Sequence, residues 1–385
     1  RLGMKCKLLD ICSFRKGKID IENLNTKNYI STENMLPNKC GITDASSLPT
    51  VSLVQEYKKG DVLVSNIRPY FKKIWQAKYN GGCSNDVLVF VPKSNTDRNF
   101  LYYVLANDDF FTYSMATSKG TKMPRGDKTS IMQYEVPMFD LNAQNKVASI
   151  LKSLDEKIEL NNAINNNLLE QVLTLYRNKF VDTVNDKRQI CRADEYFDIS
   201  IGKTPPRKEP QWFSTNPQDV TWVSISDMGT CGLYINSSSE QLTREAIDRH
   251  NVKIVPDNTV LLSFKLTVGR IAITDGEITT NEAIAHFKTD KKKINEYLYC
   301  YLKCFNYQTM GSTSSIATAV NSKIIKGMPF VVPTDEEIIE FHRLTAPMFA
   351  KIKANQTETS NLTKLRDTLL PKLMSGELDI SNIDL

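Results

Sequence analysis

The sequence predicts an α+β fold built twice. Two α+β units are each followed by a long helix, and the two helices pair as an antiparallel coiled coil about a pseudo-two-fold axis. Three observations predict this: a repeat with a period of about half the chain, short β-branched segments around one internal helix in each repeat, and a matching stripe of seam positions closing both.

The repeat can be followed in order. Residues 10–18 and 195–203 each run from an acidic residue, Asp10 or Glu195, to a Gly-Lys pair. Lys59-Gly-Asp-Val-Leu-Val-Ser65 is echoed by Asp257-Asn-Thr-Val-Leu-Leu-Ser263. A polar pair and an apolar run follow in both, Asn85-Asp86-Val-Leu-Val-Phe90 and Asn281-Glu282-Ala-Ile-Ala-His-Phe287. Segments 61–65, 72–77 and 86–91 are apolar and β-branched, which predicts strands. Residues 99–113 place Leu101, Val104 and Leu105 on one helical face, and residues 295–307 form the equivalent helix. A loop rich in Gly, Ser, Thr and Lys comes next, Lys119-Gly-Thr-Lys-Met-Pro-Arg125 in one half and Gly311-Ser-Thr-Ser-Ser315 in the other. Each leads to a Val-Pro, at Val136-Pro137 and Val332-Pro333.

The closing helices carry the clearest pattern. Leu151, Leu154, Ile158, Asn161, Asn165, Leu168, Val172 and Leu175 step by three and four alternately. Thr345, Met348, Ile352, Asn355, Thr359, Leu362, Arg366 and Leu369 do the same at a constant offset. Such a stripe is a coiled-coil seam, and polar residues at its middle set register at a cost in stability. Two amphipathic helices packed only on their own units would also show apolar stripes. The position-by-position match between copies favours pairing. The expected division is 1–140 and 185–333 for the α+β units, with 141–184 and 334–385 as helical spacers.

Length and composition bound the rest. The chain has 385 residues, 41% hydrophobic and 24% charged, enough for two or three globular domains. It lacks an apolar run long enough to span a bilayer, and its start lacks the apolar core of a signal peptide. Arg1 is not a methionine, and Met4 is the expected natural start. Eight cysteines without a CxxC pair point to reduced thiols in a cytoplasm. Cys300 and Cys304 share a helical spacing, but only His250, His286 and His342 are available as imidazole ligands, so no metal site is expected. His286 is expected in a strand. The net charge of +5 permits nucleic-acid binding without arguing for it.

Catalytic signatures are absent. The chain has no GxGxxG, GxxxxGK[ST], HExxH or GxSxG. Thr204-Pro205-Pro206-Arg207 lacks the flanks of an adenine-methylating motif, and no serine or cysteine has a histidine partner evident in the sequence.

Cations, in contrast, recur at corresponding loops. Arg68, Tyr70, Phe71, Lys72 and Lys73 combine charge with aromatics, and Lys119, Lys122, Arg125 and Lys128 crowd the next loop. In the second copy Lys203, Arg207 and Lys208 flank the Pro-Pro, and Lys265 and Arg270 occupy the place of residues 66–72. Lysine and arginine bind phosphates without sequence information. Reading bases needs side chains such as Ser65, Asn66 and Arg68 in one unit and Thr313, Ser314 and Asn321 in the other.

Gly60-Asp-Val-Leu-Val-Ser-Asn-Ile-Arg-Pro-Tyr70, Gly120-Thr-Lys-Met-Pro-Arg125, Leu154-Asp-Glu-Lys-Ile158 within the 144–169 helix, and the closing Leu365-Arg-Asp-Thr-Leu-Leu-Pro-Lys-Leu-Met-Ser-Gly-Glu377 together resemble the specificity subunits of type I restriction–modification enzymes. The resemblance covers essentially the whole chain. It implies that each α+β unit is a target recognition domain for one half of a split double-stranded DNA site. The helices would be the spacer that sets the gap and docks two methylase subunits. Those partners would bring S-adenosylmethionine, and restriction subunits would bring ATP and Mg, so no cofactor and no membrane is expected for this chain. The second unit departs by placing Phe264-Lys-Leu-Thr-Val268 where the first has Asn-Ile-Arg-Pro-Tyr, so no base assignment carries across. Competing readings are a specificity subunit of a type II system, a coiled-coil protein adaptor without DNA binding, and a nuclease whose carboxylates assemble only in space.

Overall fold

The computed structural model describes residues 5–183, 188–310 and 320–378. Thr313 and Ser314 lie outside the described residues. The chain forms two compact units, one of residues 1–158 with 361–385 and one of residues 159–360. Each unit therefore contains a stretch of both long helices, Leu141–Tyr176 and Asp335–Ser375.

The first unit is organised by the strand Val62–Ser65, all four residues of which are buried. It pairs antiparallel with Val87–Pro92 on one side and Ile74–Gln76 on the other, and Cys12–Phe14 closes the sheet beside Val87–Pro92. Val62, Val64, Leu88 and Phe90 face Phe100, Leu101, Val104 and Phe110. Leu63, Val87 and Val89 face Tyr57, Trp75 and Cys83. A strand covered on both faces needs a continuous apolar run, which is why residues 61–65 do not alternate.

A second sheet, Lys18–Asp20, Leu53–Tyr57, Gly81–Cys83 and Tyr29–Ile30 in spatial order, is not evident in the sequence. Its Gly-Gly-Cys strand has low β-propensity. It is extended by pairing with Leu53–Tyr57 and Tyr29–Ile30, and a Cβ on Gly81 would stand 2.2 Å from the Asn28 carbonyl oxygen and 2.4 Å from the Tyr57 hydroxyl. Only glycine permits that approach.

The single helix expected over 99–113 is two, Arg98–Ala106 and Asp108–Ala116. Asn107 is extended (φ −66°, ψ 139°) and its side chain accepts from the Asp109 amide. An asparagine that caps a new helix outcompetes continuation of the old one. Asp97 caps the first of the pair by accepting from the Asn99 and Phe100 amides.

The long helices complete this unit. Val147, Ala148 and Leu151 of the first and Leu370, Leu373 and Met374 of the second enter the same core as Phe100 and Phe110. Arg366 donates to Asp155 at 2.8 Å, and the Tyr103 hydroxyl donates to that carboxylate at 2.7 Å. Buried Gln144 accepts from the Asp97 amide and donates to the Asn95 and Phe139 carbonyls, tying the helix start to the domain.

The second unit repeats the plan. Val260–Ser263, wholly buried, lies between Ile284–Lys288 and Ile271–Thr274, with Asp198–Ile201 beyond Ile284–Lys288. Even the register agrees: Val62 pairs with Phe90 and Ser65 with Val87, as Val260 pairs with Phe287 and Ser263 with Ile284. A parallel pair, Val220–Val223 with Thr279–Thr280, answers Tyr29–Ile30 with Gly81–Cys83. A separate small core of Trp212, Trp222, Leu242, Ala246 and Ile247 gathers around the helix Arg244–His250. The internal helix ends at Cys304, where Phe305 turns extended, and a short 3-10 turn occupies Tyr307–Met310. Cys300 is buried and Cys304 exposed, and no cluster of three potential metal ligands occurs among the described residues.

Within this unit the helices run antiparallel. Asn161 donates to Glu358 at 2.9 Å, and Asn355 donates to the Asn165 side chain at 2.9 Å. Asn161 and Asn355 are each 1% exposed, and Ile352 is buried with them. The Asn161 side-chain oxygen is buried without a hydrogen-bond partner. Asn165, Leu168, Met348 and Thr359 are partly buried here, as are Leu154, Ile158, Leu362 and Leu369 in the first unit. Leu175 is 38% exposed, and Val172, Leu173 and Tyr176 bury beside it. The helix there turns its apolar face to the domain core of Phe341, Phe349 and Tyr297.

His286 is fully buried in the strand Ile284–Lys288, with Nδ1 3.0 Å from the Ser200 hydroxyl and Nε2 2.7 Å from the Thr280 hydroxyl. Burial, with the Lys288 charge nearby, pushes its pKa down to about 3. Below about pH 6.5 the unfolded chain therefore takes up a proton that the folded one refuses, and stability falls as pH falls toward 3. Denaturant unfolding of the second unit should show about 2 kcal/mol less stability from this group at pH 5 than at pH 7. His286→Gln should flatten that difference.

Candidate nucleic-acid interface

In the first unit the buried strand delivers Ser65 to the sheet edge, and the chain turns there. The Ser65 amide donates to the Lys73 carbonyl at 3.0 Å, its hydroxyl donates to the Ile67 carbonyl at 3.1 Å, and the Asn66 amide donates to the Asp86 carbonyl at 2.8 Å. Arg68 takes a left-handed conformation (φ 49°) and its amide donates to the Pro124 carbonyl at 2.8 Å. The Gly126 amide donates to the Asn66 carbonyl, and Ile67 bridges to Arg125. The two loops that the sequence marks separately, 65–73 and 118–128, are thus one surface. A Cβ on Gly126 would stand 2.7 Å from the Asn66 side-chain oxygen, so any larger residue would displace that side chain. Tyr70 and Phe71 are exposed with ring centroids 4.7 Å apart. The Asn66 oxygen and the Arg68 Nε are buried without partners.

Most cations of this surface already have an anion or a carbonyl. Lys72 and Lys39 both reach Asp108 at 2.8 Å. Burial pushes the Asp108 carboxyl upward, and the two lysines outweigh it, holding it below its ordinary range. Lys119 pairs with Asp127 at 2.7 Å, which together with the Ser130 amide lowers Asp127 to about 2. Arg125 pairs with Asp86 at 3.2 Å. Lys73 donates to the Thr32 carbonyl and lies over the Phe71 ring, and burial pulls its pKa below the usual range. Lys128 opens a short helix over the Phe14 ring. Lys122 has no ion-pair partner among the described residues.

The second unit builds the equivalent turn from Ser263. Its amide donates to the Arg270 carbonyl at 2.9 Å, its hydroxyl to the Thr267 carbonyl at 2.6 Å, and the Phe264 amide to the Ala283 carbonyl at 2.9 Å. Leu266 is left-handed (φ 60°) and fully exposed. Arg270 is a brace, donating to the Ile225 carbonyl at 2.6 Å and packing against Gly229. Arg207 makes two hydrogen bonds to Glu240 at 2.9 Å and stacks 4.1 Å from the Phe213 ring and 4.6 Å from the Trp222 ring. The Lys203 amide donates to the Thr280 carbonyl, and the Thr204 hydroxyl donates to Glu282. Burial raises Glu282, but Thr204, its own backbone hydrogen bond, Lys265 and Arg207 together bring it below its ordinary range. The Lys203–Lys208 and Lys265 loops therefore share one electrostatic neighbourhood. Lys203, Lys208 and Lys265 have no ion-pair partner among the described residues. Asn321 caps the helix Ser322–Lys326, accepting from the Lys323 and Ile324 amides.

Some residues of these surfaces are not legible in the sequence. Lys39 arrives from a loop remote in the chain, its amide donating to the Lys72 carbonyl. Phe213 and Trp222, which hold Arg207, belong to the small separate core. The left-handed backbone of Leu266 has no local sequence signal, since leucine seldom adopts it.

Fold and loops define a duplicated α+β protein that presents one cation-bearing turn scaffold in each unit. The model of the type I restriction modification DNA specificity domain matches residues 4–170 and again residues 185–359, and the chain belongs to that family. The chain is 23% identical over 435 residues to the type I restriction enzyme HindI specificity subunit of Haemophilus influenzae, covering 91% of this chain and 94% of that protein. It is 24% identical over 322 residues to the MjaIX specificity subunit of Methanocaldococcus jannaschii, covering 76% and 72%. In fold it resembles the crystal structure of a type I restriction-modification S subunit from M. genitalium, with a TM-score of 0.56 at 16% identity, covering 99% of this chain and 97% of that one. The chain has the role of such a subunit: it supplies DNA target specificity and performs no catalysis. No described helix is long and apolar enough to cross a membrane.

Replacing Lys122, Lys203, Lys208 and Lys265 together by alanine should leave the unfolding midpoint unchanged. It should lower the slope of log affinity against log salt by about 0.9 for each phosphate that is no longer neutralised. Titrations of duplex DNA at several salt concentrations measure this.

Proposed function

We propose that this chain is the DNA-reading subunit of a multisubunit adenine methyltransferase and restriction endonuclease, and that each unit reads one half of a bipartite site. The observation that carries this is one turn scaffold built twice with different side chains. Ser65 and Ser263, with the residues that follow them, bond through their amides to both flanking strands in the same way, while Asn66, Arg68 and Tyr70 stand against Phe264 and Leu266. Shared backbone with divergent side chains suits two readers of different half-sites. Target recognition falls to residues 1–140 and 185–333, and the spacers are residues 141–184 and 334–385. Phosphate contact falls to Lys72, Lys119, Lys122, Arg125, Lys203, Lys208 and Lys265, with Asn66, Arg68 and Tyr70 toward the bases, while Ser65, buried with its hydroxyl on the Ile67 carbonyl, positions the turn and does not itself reach a base.

The helices act as the ruler. The 36-residue helix Leu141–Tyr176 is about 54 Å long at ~1.5 Å per residue, against about 34–36 Å for one turn of B-DNA. Two methylase subunits dock on the spacer and contribute S-adenosylmethionine, restriction subunits contribute ATP and Mg, and the assembly works in the cytoplasm. An adaptor that only bridges proteins would bind without salt dependence, whereas a DNA reader loses affinity steeply with salt.

Adenine methylation mapped after co-expression with the methylase partner should reveal one split motif with a fixed unspecified gap. Methylation unrelated to this chain would overturn the assignment. Inserting four residues within 155–170 should change the preferred gap and leave both half-sites unchanged, read by the same mapping.

A further inference from the structure

Leu266 is the largest anomaly in the described surface. A leucine in the left-handed region is held against its steric preference. This one is also fully exposed, with neither the core nor a neighbouring apolar side chain covering it. Its loop is nonetheless well tied. The Ser263 hydroxyl donates to the Thr267 carbonyl and its amide to the Arg270 carbonyl, the Gly269 amide donates to the Ser263 carbonyl at 3.0 Å, and the Thr267 amide donates to the Lys265 carbonyl at 2.6 Å. The chain therefore holds an aliphatic group out into solvent on a fixed turn.

The other unit identifies the position. Leu266 is three residues beyond Ser263, and Arg68 is three residues beyond Ser65. Both are left-handed, at φ 60° and φ 49°, on turns whose serines each donate through the amide to the facing strand, Lys73 in one and Arg270 in the other, and through the hydroxyl to a carbonyl of their own turn, Ile67 in one and Thr267 in the other. Counted from the closing serine, one turn carries a guanidinium and the other, shorter by one residue, an isobutyl group at the same left-handed position. In the major groove a guanidinium suits the guanine O6 and N7 acceptors, and the only apolar group offered there is the thymine C5-methyl. Lys265, adjacent and without an ion-pair partner among the described residues, is available to hold the neighbouring phosphate.

We propose that Leu266 is a specificity-determining residue that recognises a thymine by packing against its C5-methyl group. This rests on the DNA-reading role above, and the test separates the two. The chain assembled with its methylase partner is titrated with duplexes carrying the mapped site, in which each thymine is replaced in turn by deoxyuridine. One replacement should weaken wild-type binding about fourfold, the effect of uncovering one methyl-sized group. Leu266→Ala should bind the thymine duplex at least fourfold more weakly than wild type and show no further loss at that position. Leu266→Gly, which suits the left-handed backbone, should lose the same discrimination without a lower melting temperature. Retention of the methyl response by both variants overturns the proposal, as does equal weakening of both variants on target and unrelated duplexes. A wild-type assembly that prefers its site yet responds at no thymine overturns the Leu266 proposal alone. A wild-type assembly with no preference between its mapped site and a scrambled duplex overturns the DNA-reading role and this proposal with it.

Discussion

Each unit depends on one strand buried on both faces. Val62–Ser65 and Val260–Ser263 are four residues long and wholly buried. One face of each meets the internal helix and long-helix residues, and the other meets a smaller core. Burial of this kind leaves no freedom of register, because a slip of one residue would exchange the two faces. The serine closing each strand is therefore held in place, and its amide and hydroxyl fix the turn that follows. Surface geometry in these domains is a consequence of core packing: each turn leaves from the same point of the sheet, while its side chains and its length differ, from Ser65 to Lys73 in one unit and from Ser263 to Arg270 in the other.

The helices obey a different constraint. An all-apolar seam would pack more favourably than one containing Asn161, Asn165 and Asn355, one of whose oxygens stays buried and unpaired. What the asparagines add is register, since their hydrogen bonds form only in one alignment of the helices. In the second unit Gln356 adds to this by accepting from the Tyr234 amide at 3.0 Å and donating to its carbonyl at 3.2 Å, so the same helix is also tied to Tyr234–Ile235, the edge strand beside Ile271–Thr274.

Charge is managed in two ways on the candidate surfaces. Lys39, Lys72, Lys119, Arg125 and Arg207 are paired with carboxylates and so arrive preorganised. Exposed pairs of this kind contribute little to stability and can be exchanged for phosphates at modest cost. Lys122, Lys203, Lys208 and Lys265 have no ion-pair partner among the described residues. A surface of both kinds combines long-range attraction with a fixed local shape, which a reader of base edges needs in addition to phosphate affinity.

The sequence by itself determined the duplication, the apolar strands, the two long helices with their polar centre, and the loops in which cations collect. These are legible because they rest on period and burial: an apolar run, a three-four stripe and a repeated Ser-terminated strand leave a trace in one dimension. The tertiary structure alone decided the second sheet, whose glycine strand is held by its pairing and fits beside Asn28 and Tyr57 only for want of a Cβ. It also decided the break at Asn107 and the turn of Leu175 away from the buried face. The joining of loops 65–73 and 118–128 and the approach of Lys39 to Lys72 likewise leave no trace in the sequence. Each depends on close contact between residues far apart in the chain, which no local propensity encodes. The roles of Arg270 as a brace and Asn321 as a helix cap follow for the same reason: a cation or an amide is read from sequence as available, and only its neighbours determine whether its hydrogen bonds are already taken.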